Sequence, residues 1–140
     1  MTAFRQAGLL ALAAFLPAIG EAIYLRPQVS WQSAVADGDS ATVKQAERWG
    51  ANTLWVDARP SEDFAHEHVP GALLLNEDHW DDLLPRLLET WAPEKRVVVY
   101  CSSQACGASR EVARRLRTEA GLKNVFVLTG GWEAWVAARR

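Results

Sequence analysis

The feature that most constrains the fold is a regular alternation of short apolar runs with helical segments. The apolar runs at residues 53–57, 71–75, 96–101 and 124–128 have the length and composition of covered strands. Strands separated by helices are typically joined by right-handed crossovers into a parallel sheet. The sequence therefore predicts an α/β fold, with an open parallel sheet of about four to five strands and helices on both faces.

The helical segments carry recognisable start and stop signals. Ser40 is expected to cap a helix over residues 40–50, and Gly50 to end it. Pro85 either kinks the helical segment 76–91 or opens a second helix at its first turn. No internal repeat interrupts this order.

Length and charge restrict the organisation and the partners. A chain of 140 residues with 49% hydrophobic content fits one domain, which we place at residues 40–140, after a linker at 26–39. The formal net charge of −2 offers no basic field for a phosphate backbone, so we expect no nucleic-acid partner.

The N-terminal residues 1–25 form a separate segment. Residues 7–19 are uninterruptedly apolar and follow Arg5, as in the core of a signal peptide, and the run is shorter than a spanning helix requires. We expect residues 1–25 to be either a cleaved signal peptide or a retained membrane anchor, with membrane association through residues 7–25. Either outcome predicts an exported or membrane-anchored protein whose domain is extracytoplasmic.

The number and spacing of the cysteines argue against a structural metal site and against a fold held together by several disulfides. The chain has two cysteines, without a CxxC pair or a Cys/His grouping at metal-ligand spacing. We expect no metal and no cofactor.

Cys101 stands at the end of the most apolar run, "RVVVYC", directly before a small polar loop and a helix. Ligands of open parallel sheets gather beyond the carboxyl ends of the strands. Amide groups of the loop and the start of the next helix would favour a thiolate, which is the reactive form of cysteine. The structural alternative is that Cys101 is a small buried apolar residue.

Cys106 follows five residues later, and two roles for it stay open. It could act as a resolving thiol that closes a small disulfide with Cys101, which would make the loop redox-responsive. It could instead be an inert residue that packs inward.

Taken together, three separated segments resemble the rhodanese-like domain family over residues 40–138. They are "LWVDARPSEDFAHEHVPGA", the cysteine loop "VVVYCSSQACGAS", and "NVFVLTGGWEAW". The resemblance implies a sulfurtransferase in which Cys101 takes sulfane sulfur from thiosulfate or a persulfide and passes it to a thiol or cyanide. The implied partners are a small sulfur donor and a thiol acceptor. Export of the domain would add a reductant or sulfur-relay protein, because Cys101 must be kept reduced or persulfurated. A noncatalytic or redox-responsive binding module that uses Cys101 and Cys106 is the alternative.

The resemblance also implies roles for other residues. Asp57, Arg59 and His68 match the first signature and are interpreted as supporting residues, as is Arg110 at the start of the helix. The substrate-binding loop implied by the second signature comprises Ser102, Ser103, Gln104, Ala105, Cys106, Gly107, Ala108 and Ser109.

The cysteine loop departs from the family pattern. It is longer than is usual in single-domain rhodaneses, and Ala108 stands where an arginine is common. Such a loop would admit a larger donor or acceptor, and the missing charge would weaken thiosulfate binding. Gly107 stands where related phosphatases have an arginine, which argues against phosphatase or arsenate-reductase activity.

Overall fold

The computed structural model describes residues 37–103 and 107–140, and it has a five-stranded sheet at its centre. All strand pairs are parallel, and the strand order is β1-β5-β4-β2-β3. The strands are β1 (Ser40–Ala41), β2 (Thr53–Asp57), β3 (Leu73–Leu74), β4 (Arg96–Tyr100) and β5 (Val125–Leu128). The predicted α/β fold class is confirmed.

Helices connect the strands and cover both faces of the sheet. They are α1 (Val43–Trp49), α2 (Ser61–His66), α3 (Trp80–Thr90), α4 (Ala108–Thr118) and α5 (Gly131–Ala137). Short 3-10 turns at Asp37–Asp39 and Gly50–Asn52 precede β1 and β2.

The central strand β4 is buried on both faces, and its side chains alternate between two clusters of the core. Val97 and Val99 belong to the cluster that includes residues of α3 and α4. Val98 and Tyr100 belong to the cluster that includes residues of α1 and α5. The next residue, Cys101, continues the first series, and its side chain lies with that of Val99 in the cluster beside α4.

One detail of the helical expectations is corrected. Ser40 does not cap the first helix, because it belongs to β1 and pairs with Val127 on β5. Thr42 caps α1 instead, in a reciprocal pair of bonds with Gln45. Of the two alternatives for Pro85, the start of a second helix is excluded, because Pro85 lies inside the single helix α3.

The predicted segment at residues 1–25 lies outside the described residues, as does the linker up to residue 36. Within the described ranges, none of the helices is both long enough and apolar enough to cross a bilayer.

Candidate active site

Cys101 lies immediately after β4, at the carboxyl edge of the sheet, as predicted. It is 1% exposed, and its sulfur is oxidised in a disulfide. The one other cysteine of the sequence, Cys106, lies outside the described residues. The sulfur is 3.3 Å from the Ser109 Oγ and 3.4 Å from the Ser103 carbonyl oxygen. Because a disulfide sulfur carries no proton, the Ser109 hydroxyl is the donor of the first contact and the second is a van der Waals approach.

The buried stripe of α4 explains why Ser109 reaches the sulfur. Ser109, Val112, Ala113 and Leu116 are buried and follow the three- and four-residue spacing of one helix face. That face packs on the same side of the sheet as Cys101. The first position of the stripe is therefore a hydroxyl placed beside the sulfur, and the positions that follow it on this face are apolar.

The entry of α5 contacts the first peptide groups of the cysteine loop. The Trp132 amide donates to the Cys101 carbonyl oxygen at 2.8 Å, and the Glu133 amide donates to the Ser102 carbonyl oxygen at 3.2 Å. Backbone N–H groups in the first turn of a helix have no acceptor within the helix, so these two are available to the loop. The start of the loop is thus held from outside by a helix that lies thirty residues further along the chain.

Asp57 and Arg59 form a buried ion pair at the end of the neighbouring strand β2. Asp57 is fully buried and Arg59 is 6% exposed. The Arg59 Nη2 donates to Asp57 Oδ2 at 2.7 Å, and its Nε lies 3.0 Å from Oδ1. Nη2 also donates to the Glu67 carbonyl oxygen at 2.6 Å. The pair therefore ties the loop after β2 to the segment that follows α2.

Electrostatic interactions at this strand end keep Arg59 ionised and Tyr100 neutral. Burial alone lowers the pKa of Arg59, but the hydrogen bonds and charge of Asp57 outweigh it, so the pKa lies above its ordinary value. Burial raises the pKa of the Tyr100 phenol well above its ordinary value. Tyr100 is accordingly neutral, and its oxygen accepts the Val69 amide at 3.1 Å. The Arg59 guanidinium also lies over the Trp132 ring, 4.6 Å from its centroid.

The remaining sequence-predicted residues take different positions. His68 is half-buried and stacks on Phe64 with ring centroids 3.9 Å apart. Its Nδ1 lies 2.7 Å from the Phe64 carbonyl oxygen, so the ring makes its contacts with a residue four positions earlier in the chain. Arg110 is half-buried in the first turn of α4, and Ser102 is exposed. The predicted loop residues Gln104, Ala105 and Cys106 lie outside the described residues.

A cleft of about 290 Å³ opens beside the site. Two of its lining residues are neighbours of the site in the fold. Ala58 follows β2, and its amide donates to the Tyr100 carbonyl oxygen at 2.8 Å. Ala108 is the first residue of α4 and directly precedes Ser109. The other lining residues are Pro60, Asn76, Glu77 and Asp78. In the part of the chain that the structure describes, no cluster of acidic, histidine or cysteine side chains could hold a metal ion.

Two contributions to the site were missed by sequence reasoning. The amides of Trp132 and Glu133 reach the cysteine loop through the backbone, and a backbone donor leaves no residue type as a signal. Tyr100 was assigned only to a strand, although its phenol organises the segment around Val69. The buried stripe of α4, in contrast, is readable from the sequence, and its spacing places Ser109 on the covered face.

The parallel sheet covered by helices, with a cysteine at the carboxyl end of its central strand, places this protein among the open-sheet α/β domains. Comparison with known proteins identifies its family. The profile of the Rhodanese-like domain family matches residues 40–138. This chain belongs to that family, which confirms the resemblance read from the sequence.

Individual relatives agree with this placement. The thiosulfate sulfurtransferase GlpE of Coxiella burnetii is 36% identical over 82 residues, which cover 59% of this chain and 70% of the relative. Among solved structures, a thiosulfate sulfurtransferase of Pseudomonas aeruginosa matches 72% of this chain and 18% of its own, with 30% identity and a TM-score of 0.60. The BH2092 protein of Bacillus halodurans shares the fold over 88% of this chain and 82% of its own, with 18% identity and a TM-score of 0.60.

Proposed function

We propose that this protein is a sulfurtransferase in which Cys101 carries sulfane sulfur as a persulfide. The observation that carries the proposal is the contact of the Cys101 sulfur with the buried Ser109 hydroxyl at the carboxyl edge of the sheet. A hydroxyl that donates to sulfur stabilises the anionic form, which is the form that attacks a donor. The similarity to thiosulfate sulfurtransferases supports the same reaction class.

The first step loads the cysteine. The Cys101 thiolate attacks the outer, sulfane sulfur of thiosulfate, and a new sulfur–sulfur bond forms. The bond between that sulfur and the sulfonate group breaks, and sulfite leaves with the electron pair. With an alkyl persulfide as donor, an alkyl thiolate leaves instead. Splitting the transfer in this way replaces one difficult step by two displacements.

The second step transfers the sulfur from Cys101 to an acceptor. A thiolate or cyanide attacks the terminal sulfur of the Cys101 persulfide, and the bond between that sulfur and Cys101 breaks. The products are an acceptor persulfide or thiocyanate, and the Cys101 thiolate is regenerated. No net oxidation occurs, so the cycle needs no redox cofactor.

The disulfide at Cys101 must be reduced before the cycle begins, because a disulfide sulfur has no thiolate to attack with. A dithiol supplies the two electrons and two protons, becomes a disulfide itself, and leaves two thiols on the protein. If residues 1–25 direct the domain out of the cytoplasm, as we propose, an extracytoplasmic dithiol or sulfur-relay protein is the matching partner.

Intact-mass analysis tests the proposal. Dithiol-reduced protein is freed of reductant and incubated with thiosulfate or with an alkyl persulfide. We expect a gain of one sulfur atom that disappears on adding cyanide, with formation of thiocyanate. Cys101→Ala should show no gain and Cys106→Ala should retain it. A wild-type protein that takes up no sulfur from either donor would contradict sulfurtransferase activity.

The disulfide favours a second candidate, a redox-responsive binding module of the same family. In that function the oxidation of Cys101 is the signal and no sulfur is transferred. The same assay separates the two functions, because a module would change mass by two hydrogens on reduction and gain no sulfur afterwards.

A further inference from the structure

Gly131 marks a very close approach between α5 and the cysteine loop. Its φ of +57° lies in the left-handed region that favours glycine. A Cβ at this position would overlap the Cys101 carbonyl oxygen, and it would lie 3.2 Å from the Ser103 nitrogen. Both the backbone conformation and the space therefore require glycine here.

The approach fixes the orientation of two peptide groups. The Cys101 and Ser102 carbonyls point at the Trp132 and Glu133 amides of α5. No cis peptide bond is found in the described residues, and in a trans peptide the C=O and N–H bonds point in opposite directions. The N–H groups of Ser102 and Ser103, which belong to the same two peptide groups, are therefore directed away from α5.

We propose that Gly131 is a positioning residue for the cysteine chemistry. By letting α5 come within bonding distance of the loop, it sets the direction of the first N–H groups after Cys101, so that they stabilise the sulfur anion. This inference rests on the proposed function for its biological meaning, but its physical content concerns the ionisation of Cys101 alone. Gly131 has no side chain, so its effect is exerted through the loop that it approaches.

A matched pair of glycine variants tests the proposal. Gly131→Ala and Gly121→Ala both place a side chain at positive φ, +57° and +73°, but the added methyl group has open space at Gly121. Both variants are made in a Cys106→Ala background, so that Cys101 is the single thiol. Both should lose thermal stability, because alanine is strained at positive φ. In Gly131→Ala alone, we expect iodoacetamide alkylation to slow by about tenfold or more on the acid side of its pH profile, where the thiol form predominates, the effect of one hydrogen bond to a charged group.

A second pair keeps the test decisive if Gly131→Ala does not fold. Glu133 is exposed and is the third residue of α5, where a proline removes no hydrogen bond within the helix. Glu133→Pro removes the N–H that donates to the Ser102 carbonyl, whereas Glu133→Ala keeps it. We expect slower alkylation and an upward shift of its pH profile in Glu133→Pro, with Glu133→Ala matching the parent protein.

The outcomes are distinct from those of the sulfur-transfer assay. Equal alkylation profiles within each pair would overturn the positioning role, whether or not the parent protein accepts sulfur. A parent that takes up no sulfur, combined with a slow Gly131→Ala, would instead contradict the proposed function and retain the positioning role.

Discussion

The carboxyl ends of the neighbouring strands β2 and β4 face the same edge of the sheet but are built in opposite ways. Asp57 on β2 pairs with Tyr100 on β4. Arg59 therefore lies two residues beyond this pair on one strand, and Cys101 lies one residue beyond it on the other. At β2 a buried carboxylate and guanidinium bond to each other and to the backbone. At β4 the Cys101 sulfur lies beside a neutral donor, the Ser109 hydroxyl, and belongs to the apolar core cluster that includes residues of α4.

The difference separates a scaffold from a reactive group. A buried charge pair whose members bond to each other and to the backbone holds the surrounding loops in place. A sulfur whose ionisation depends on a few neutral donors responds strongly to each of them, because a low-dielectric surrounding screens little. Substitutions at the β2 end should therefore change stability, whereas substitutions around the sulfur should change reactivity.

The largest effect is expected at the β2 end. Asp57→Ala leaves the Arg59 guanidinium buried without its partner, and we expect the free energy of unfolding to fall by about 3–5 kcal/mol. Urea denaturation measures the loss. Arg114→Ala is the control, since it breaks an ion pair with Glu111 whose arginine is 54% exposed, and it should cause no measurable change. Equal losses in the two variants would contradict the structural role of the buried pair.

Tyr100→Phe removes only the phenol oxygen that accepts the Val69 amide. The ring volume is preserved, but a buried backbone N–H loses its partner, so we expect a loss of about 1–3 kcal/mol in the free energy of unfolding. The sulfur uptake of the folded variant should stay unchanged, because Tyr100 faces the cluster opposite to that of Cys101. A variant with wild-type stability but impaired sulfur uptake would reverse the assignment of roles.

Ser109→Ala should have a small effect on stability and a clear one on the sulfur. The hydroxyl donates to the anion, so its removal disfavours the thiolate by about 1.5 kcal/mol or more, the contribution of a hydrogen bond to a charged group. On the acid side of the labelling profile, where the thiol form predominates, alkylation should therefore slow by about tenfold. Iodoacetamide labelling of the reduced protein from acid to alkaline pH measures the profile.

The exposed Ser102 supplies the control for that experiment. Ser102→Ala should leave the labelling profile where it is in the parent protein. A profile of Ser109→Ala that coincides with that of Ser102→Ala would show that the contact at 3.3 Å does not act on ionisation.

Much of the fold was predictable because local patterns coincide with tertiary burial. The continuous apolar run before Cys101 is what a strand covered on both faces requires, and it became the central strand β4. The failure at Ser40 has a physical reason as well. Ser40 and Thr42 are both good capping residues, and pairing with β5 extended the chain through Ala41, so that the helix began only after Thr42.

The sequence by itself determined the alternation of strands and helices, and with it the placement of Cys101 at the carboxyl edge of a parallel sheet. The spacing of buried residues on α4 likewise placed Ser109 on the covered face. Only the tertiary structure decided that the start of α5 bonds to the carbonyls after Cys101 and that Gly131 has no room for a side chain. The reason is that periodicity encodes which face of an element is covered, whereas a bond between two backbones far apart in the chain depends on how the elements pack and leaves no pattern in residue types.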